Sequence, residues 1–428
     1  MQKVKVILIG AAFSADLHAD GYARVRQKAQ IAAIVDKDIA RAKDLAARYG
    51  FTDCAFFEDY ETAVKAVDCD VVDVCLPNFL HKDAALCALR HGRHVISEKP
   101  LAVTPQEARE MVKAANDAGR NIYYAEDWLG CPTVVKALEL VKSGAIGEVK
   151  FIRARECHCG SHSPFAQSLR FCGGGAMIHL GIHPVGLLLA LKEGRWTELT
   201  ALTSGGLEQN LVHKSMEGED WAGALVRFAD GTTAELEANY VTTGGMEDNI
   251  DFYGTKGCLH LDLTFSSAIR GFSIPGFDYT VEKAELTTGW SRPAVDEKYD
   301  LGYVSEIEHF IDCIAAGKPA RAGLRGEDGL ALSSRNTLLD TDHRTAAPYI
   351  YKVLKAAVEK SHQTTPDQLA AWVTAQVESN PLLKVIYFQV VDAATMQQVR
   401  TWEESPVIQG CIAVQAGDIR LIDNIKLR

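Results

Sequence analysis

The stretch Val4-Lys5-Val6-Ile7-Leu8-Ile9-Gly10-Ala11-Ala12-Phe13-Ser14 begins as a β-branched apolar run, stops at a glycine and passes into small and polar residues. Such a run reads as a strand buried on both faces, followed by a turn and a helix starting near Ser14. The unit then repeats. Ile31 to Val35 is a second apolar run ending at Asp36, and Ile39, Ala42, Leu45 and Ala46 recur at helical spacing before Tyr49. Val71 to Leu76, a helix from about His81 to His91, the strand His94 to Ser97 and the helix Pro105 to Ala118 continue the alternation. Apolar strands alternating with helices predict an α/β unit with a parallel sheet covered on both faces.

From about Gly147 the apolar runs alternate with polar residues and are joined by turns. Asp230-Gly231, between Ala224 to Phe228 and Thr233 to Tyr240, has the chemistry of a tight hairpin. Asp251 to Tyr253 and Cys258 to Leu263 extend the pattern, which predicts an α+β domain with an open, mostly antiparallel sheet. Past Arg321 come the polar loop Ser333 to Asn336, helices near Ala346 to Lys360 and Asp367 to Glu378, and three late strands, a small α+β module. The expected domains are 1–128, 129–325 and 326–428.

The totals bound the function. At 428 residues, 47% hydrophobic and 24% charged, the chain suits two or three globular domains at roughly 150 residues each. A net charge of −11 argues against a phosphate-bound nucleic-acid partner, which needs a basic face. No apolar stretch approaches the ~18 residues that span a bilayer, and no secretory cleavage site follows the first strand. Eleven cysteines without framework spacing fit a reducing compartment, and the cytoplasm is expected.

A dinucleotide site at the first strand needs a glycine at the tight turn and a helix N-terminus at the pyrophosphate. Gly10 supplies the first; Ala12 and Ala15 stand where the other two glycines of that fingerprint would be. Asp36, ending the second strand, is where ribose hydroxyls are bound, which favours NAD. Lys37 beside it could meet a 2′-phosphate and keeps NADP open.

Leu76-Pro77-Asn78-Phe79-Leu80-His81 and His94-Val95-Ile96-Ser97-Glu98-Lys99-Pro100-Leu101 resemble the Gfo/Idh/MocA oxidoreductases. Tyr124-Ala125-Glu126-Asp127-Trp128, Gly173-Gly174-Gly175-Ala176, Gly254-Thr255-Lys256-Gly257 and Glu306-Ile307-Glu308-His309-Phe310 continue the resemblance in order. It implies a Rossmann domain, a substrate sheet that often packs on a second subunit, and hydride exchange at a sugar, polyol or cyclitol hydroxyl. The implied cofactor site takes in Gly10, Ala12, Phe13, Ser14, Asp36, Lys37, Pro77, Asn78, His81, Glu98 and Lys99. Lys99 matches the family's catalytic lysine, whose charge can polarise the substrate oxygen and hold a neighbouring imidazole basic. His183 matches its general base. Four residues earlier the family usually has aspartate, and here it is His179, which can bind hydroxyls but supplies no negative charge.

Glu156-Cys157-His158-Cys159-Gly160-Ser161-His162 lies just upstream. A related subset of the family carries a similar His-x-x-x-His stretch beside substrate, so Glu126, Trp128, His158, His162, His179 and His183 are the expected substrate residues. Zinc on His158, His162, His179 and His183 is the lesser alternative. Strand alternation would send Cys157 and Cys159 to the face opposite His158.

Asp328-Gly329-Leu330-Ala331-Leu332-Ser333-Ser334-Arg335-Asn336, Ala347-Pro348 and Gly417-Asp418-Ile419-Arg420-Leu421-Ile422-Asp423-Asn424 resemble the C-terminal domain of the pantoate–β-alanine ligases. The resemblance implies that Ser333, Ser334 and Arg335 approach ATP. The ligase's nucleotide-binding half has no counterpart upstream, so no ligase activity is expected from this chain alone. The family's usual closing helix is also missing, which leaves an apolar face for Ala346 to Val358 or a partner to cover. The reading is therefore an NAD(P)-dependent sugar or polyol oxidoreductase, expected as a homo-oligomer, with a module that could recruit a ligase half. The alternatives are a ligase-related fusion and a dinucleotide-binding protein without turnover.

Overall fold

The computed structural model describes residues 3–161, 163–192, 196–264, 269–277, 288–317, 320, 340–392, 397–405, 408–417 and 419–427. It divides into two compact units, Met1–Ala322 and Gly323–Arg428.

In the first unit, β1 (Val4–Ile9), β2 (Ala29–Val35), β3 (Ala55–Phe57), β4 (Val71–Val74), β5 (His94–Glu98) and β6 (Ile122–Ala125) form one sheet in the order β3-β2-β1-β4-β5-β6. Every pairing is parallel. The apolar runs are continuous because both faces are buried: Val6 and Leu8 enter one core, Ile7 and Ile9 the other. Local signals set the intervening helices. Asp38 accepts from Ala40 N and Arg41 N at the start of Ile39–Tyr49, and Gly50 ends that helix at φ 68°. Thr104 caps Pro105–Ala118 in the same way.

The second sheet contains β7 (Val149–Cys157), β8 (Trp196–Thr203), β9 (Trp221–Phe228), β10 (Thr233–Asn239), β11 (Glu247–Gly254) and β12 (Cys258–Asp262), in the order β12-β11-β7-β10-β9-β8. Only β7 with β10 is parallel. The expected hairpin joins β9 to β10, with Gly231 at φ 83°. One face packs on Ile182–Lys192 through Leu187 and Leu188.

The chain returns to the first sheet through helix Tyr303–Ala316, whose Ile307, Phe310, Ile311 and Ile314 complete the core over β1. It lies close to helix Phe13–Arg24 because Gly21 has no side chain; a Cβ there would stand 2.9 Å from Ile307.

The second unit has its own core. Helices Pro348–Ser361 and Pro366–Glu378 pack on an antiparallel sheet of Leu383–Asp392, Ile408–Ala416 and Ile419–Lys426. Ala346, Ala347, Ile350, Val353, Leu354 and Ala357, in the segment expected to cover the apolar face of the first unit, belong to this second core. The expected nucleotide loop Ser333, Ser334 and Arg335 lies outside the described residues. No single helix among the described residues is long and apolar enough to cross a membrane.

Candidate active site

Strand ends build one wall of a cavity of about 330 Å³, and the loops and helix following β7 build the other. That volume suits a small-molecule site. After β1, Gly10 adopts φ 104°, and a Cβ there would lie 2.1 Å from the Cys75 carbonyl oxygen, so the turn requires glycine. Ala12, Phe13 and Ser14 line the cavity, and helix Phe13–Arg24 starts at Ala12 with no side-chain cap. An uncapped helix start at the carboxyl end of a parallel sheet suits a pyrophosphate.

Asp36 stands beside this turn. Its Oδ2 accepts from Ala11 N at 2.9 Å and its Oδ1 from Asp38 N at 2.9 Å. These bonds fix the carboxylate beside the turn, outside the cavity lining. Lys37 is exposed and does not line the cavity. The cation beside Asp36 is Arg41, 3.7 Å away and one helical turn further on.

Pro77, Asn78, Glu98 and Lys99 line the cavity as expected. His81 does not. It is buried with its ring nitrogens 2.7 Å from the Leu76 carbonyl and 2.9 Å from that of Pro100, so it braces two loops behind the cavity.

Lys99, His179 and His183 come together on the cavity floor. Glu219 secures the short helix Ala176–His179, with its carboxylate accepting from Gly175 N at 3.2 Å and Met177 N at 2.9 Å. Lys99 Nζ donates to the His179 carbonyl oxygen at 3.0 Å. The His179 ring meets the Tyr240 hydroxyl at 2.7 Å through Nδ1, and Asn78 Nδ2 donates to Nε2 at 3.4 Å. Burial, with the Lys99 charge nearby, pushes His179 down to about 4, so it is neutral at pH 7.

Carboxyl groups from other elements stand around His183. His183 Nδ1 lies 2.7 Å from Glu126 Oε1 and 3.2 Å from Asp127 Oδ1, and Nε2 lies 3.8 Å from Glu156 Oε2. Burial, with Asp127, Glu306 and Glu156 adding like charge, raises Glu126 well above the usual carboxylate range. Trp128 stacks on the His183 ring at 5.8 Å and 21°. Trp128 lines the cavity, whereas Glu126 stands behind His183 and orients it.

His158, His179 and His183, three of the four expected zinc ligands, do not form one ligand set among the described residues. His183 groups with Glu126 and Asp127, and His158 groups with Glu156 and Asp248. His158 and His179 flank the Tyr240 ring instead, and His162 lies outside the described residues. β7 ends at Cys157, so strand alternation does not extend to Cys159, which is exposed while Cys157 and His158 are buried.

A glycine-requiring turn ahead of an uncapped helix start at the carboxyl end of a parallel sheet suits a dinucleotide-dependent oxidoreductase. The comparisons narrow this class. The oxidoreductase family with an NAD-binding Rossmann fold matches residues 4–126, and the GFO/IDH/MocA C-terminal domain matches residues 134–260. The chain belongs to the GFO/IDH/MocA family and is a dehydrogenase of CH–OH groups; its tail, residues 321–426, matches the pantoate-beta-alanine ligase family. D-glucoside 3-dehydrogenase of Escherichia coli is 28% identical over 331 residues, covering 74% of this chain and 89% of that protein. GenD2 from gentamicin A biosynthesis, solved in complex with NAD, superposes with a TM-score of 0.66 at 26% identity, covering 74% and 88%. Over the tail, pantothenate synthetase of Porphyromonas gingivalis is 43% identical over 103 residues, which is 24% of this chain but only 37% of that enzyme.

Proposed function

We propose that the protein oxidises a secondary hydroxyl of a glycoside or related polyol, with NAD as hydride acceptor. The observation that carries this is the joint placement of Lys99 Nζ, His179 and the Glu126-oriented His183 on the floor of one cavity. The similarity to a D-glucoside 3-dehydrogenase supports a sugar substrate. Asp36, held by two backbone N–H groups, supports NAD, although Arg41 nearby leaves room for a 2′-phosphate.

NAD, when bound, takes a hydride from carbon. The chain's own residues handle the oxygen and its proton. Lys99 donates to the substrate oxygen and stabilises the charge that develops as its proton leaves. His183 takes that proton at Nε2, while Glu126 at Nδ1 fixes the ring. His179, neutral and bonded at its two ring nitrogens to Tyr240 and Asn78, holds Lys99 through its backbone carbonyl. Phe165, packed against Phe79 and Phe171 at 5.6 and 5.8 Å, supplies an apolar wall for a sugar face.

Steady-state oxidation of simple glucosides with NAD and NADP tests this. Wild type should turn over with a preference for NAD. Lys99→Ala and His183→Ala should each lose on the order of 100-fold or more in kcat, the scale of a lost acid–base or oxyanion group. Unchanged kcat in both variants would refute the assignment.

A further inference from the structure

Below the Lys99 end of the cavity runs a buried polar chain that the mechanism above does not use. His18, midway along helix Phe13–Arg24, is fully buried. Its Nδ1 lies 2.8 Å from Asp73 Oδ2 on β4, and its Nε2 lies 3.1 Å from Glu98 Oε1 at the end of β5. The Tyr22 hydroxyl donates to the same Asp73 oxygen at 2.7 Å. The second Glu98 oxygen accepts the Lys99 backbone N–H at 3.0 Å.

A ring with a carboxylate oxygen at each nitrogen satisfies both only as the imidazolium, with two donors. Burial alone would lower the His18 pKa, but the charge and hydrogen bond of Asp73, together with Cys75, outweigh it and raise the group well above the ordinary histidine range. The formal charges then cancel, with Asp73 and Glu98 negative and His18 and Lys99 positive. Only Glu98 and Lys99 of these four line the cavity.

We infer that His18 is a positioning residue whose fixed positive charge, clamped between Asp73 and Glu98, sets the balance with which the cavity binds oxidised and reduced nicotinamide dinucleotide. The oxidised ring is cationic and the reduced ring is neutral. Hydride exchange requires the ring at the Lys99–His183 end, next to Glu98. With His18 in place the Glu98 charge is balanced there. Without it, one uncompensated negative charge remains beside the ring and favours the oxidised form. A buried unit charge at that range is worth a roughly ten-fold change in relative affinity. The inference rests on the cofactor placement above, which wild-type binding of either nucleotide tests separately.

The experiment is direct titration of wild type and variants with NAD+ and NADH, by calorimetry and nucleotide fluorescence, reading the ratio of the two Kd values. His18→Gln should lower Kd(NAD+)/Kd(NADH) about ten-fold. The double variant His18→Gln/Asp73→Asn, neutral again, should restore the ratio. Tyr22→Phe loosens the same cluster without changing its charge and should leave the ratio alone. Asp73→Asn by itself also removes the charge that keeps His18 protonated, so charge and proton leave together and the ratio should stay at the wild-type value, while His18→Asn repeats the shift if His18→Gln fails to fold. Equal weakening of both nucleotides at a fixed ratio, or ratios that ignore the sign of the charge removed, would overturn it.

Discussion

Replacing Glu126 with glutamine separates the orientation of His183 from substrate contact. Both side chains are almost fully buried, at 1% and 3% exposure, and their atoms meet at 2.7 Å. Glutamine keeps the shape but accepts a weaker hydrogen bond from the imidazolium and can turn its NH2 toward the ring instead. A buried hydrogen bond to a charged group contributes about 1.5–3 kcal/mol. Asp127, 3.2 Å from the same nitrogen, retains part of that stabilisation. The expected loss is therefore on the order of 10- to 100-fold in kcat, at about 1.4 kcal/mol per decade. Because Glu126 does not line the cavity, KM for sugar and for NAD should stay within about three-fold, as for an interaction made mainly in the transition state. Stopped-time and steady-state assays over a full substrate range, with a thermal melt to confirm folding, read all three quantities. A rise in KM at constant kcat would place Glu126 in substrate binding, and an unchanged kcat would refute the orienting role.

Three further outcomes follow from particular groups. His179 sits at about 4 when folded against an ordinary value of 6.5, so the unfolded chain binds more protons between those values. The His179 contribution to stability is then complete above pH 6.5 and lost as pH falls toward 4, by up to about 3 kcal/mol; urea melts of wild type and His179→Gln across pH 4–7 should converge at the acid end, and parallel curves would count against it. Gly10→Ala forces a Cβ 2.1 Å from the Cys75 carbonyl oxygen at φ 104°, so it should cost on the order of 2–4 kcal/mol and abolish nucleotide binding; calorimetry showing wild-type affinity would contradict this. Supplied with pantoate, β-alanine and ATP, the protein should form no pantothenate, because its tail spans 37% of the matched ligase, and mass-spectrometric detection of product would overturn that expectation.

Much of this architecture is legible in the chain because periodicity reports burial directly. Val4–Ile9 and Val71–Val74 read as two-faced strands since both faces are covered, and Asp230-Gly231 marks its hairpin because the turn needs φ above zero at Gly231. Lys99, His179 and His183 are recognisable because they stand in local motifs. Their partners are not, since a pattern tells which face a residue occupies and not what lies opposite. Glu126 reaches His183 across 57 positions and His18 reaches Glu98 across 80. His81 looks like a ligand in its motif, but the two carbonyls that engage its ring are set by loop packing. Lys37 looks like the phosphate-side cation beside Asp36, yet the helix turns Arg41 toward that carboxylate. The strand ends two residues short of Cys159, because the register of β7 with β10 and β11 runs out at Cys157.

The most direct test of the central claim is isotope transfer. Wild-type protein is incubated with NAD+ and a glucoside uniformly deuterated at its ring carbons, and the reduced nucleotide is analysed by mass spectrometry. One deuterium is expected in the NADH formed by wild type, with loss of that product in Lys99→Ala. Saturable nucleotide binding with no label transferred from any of a panel of glucosides and cyclitols would contradict it, and would make the protein a dinucleotide binder without turnover.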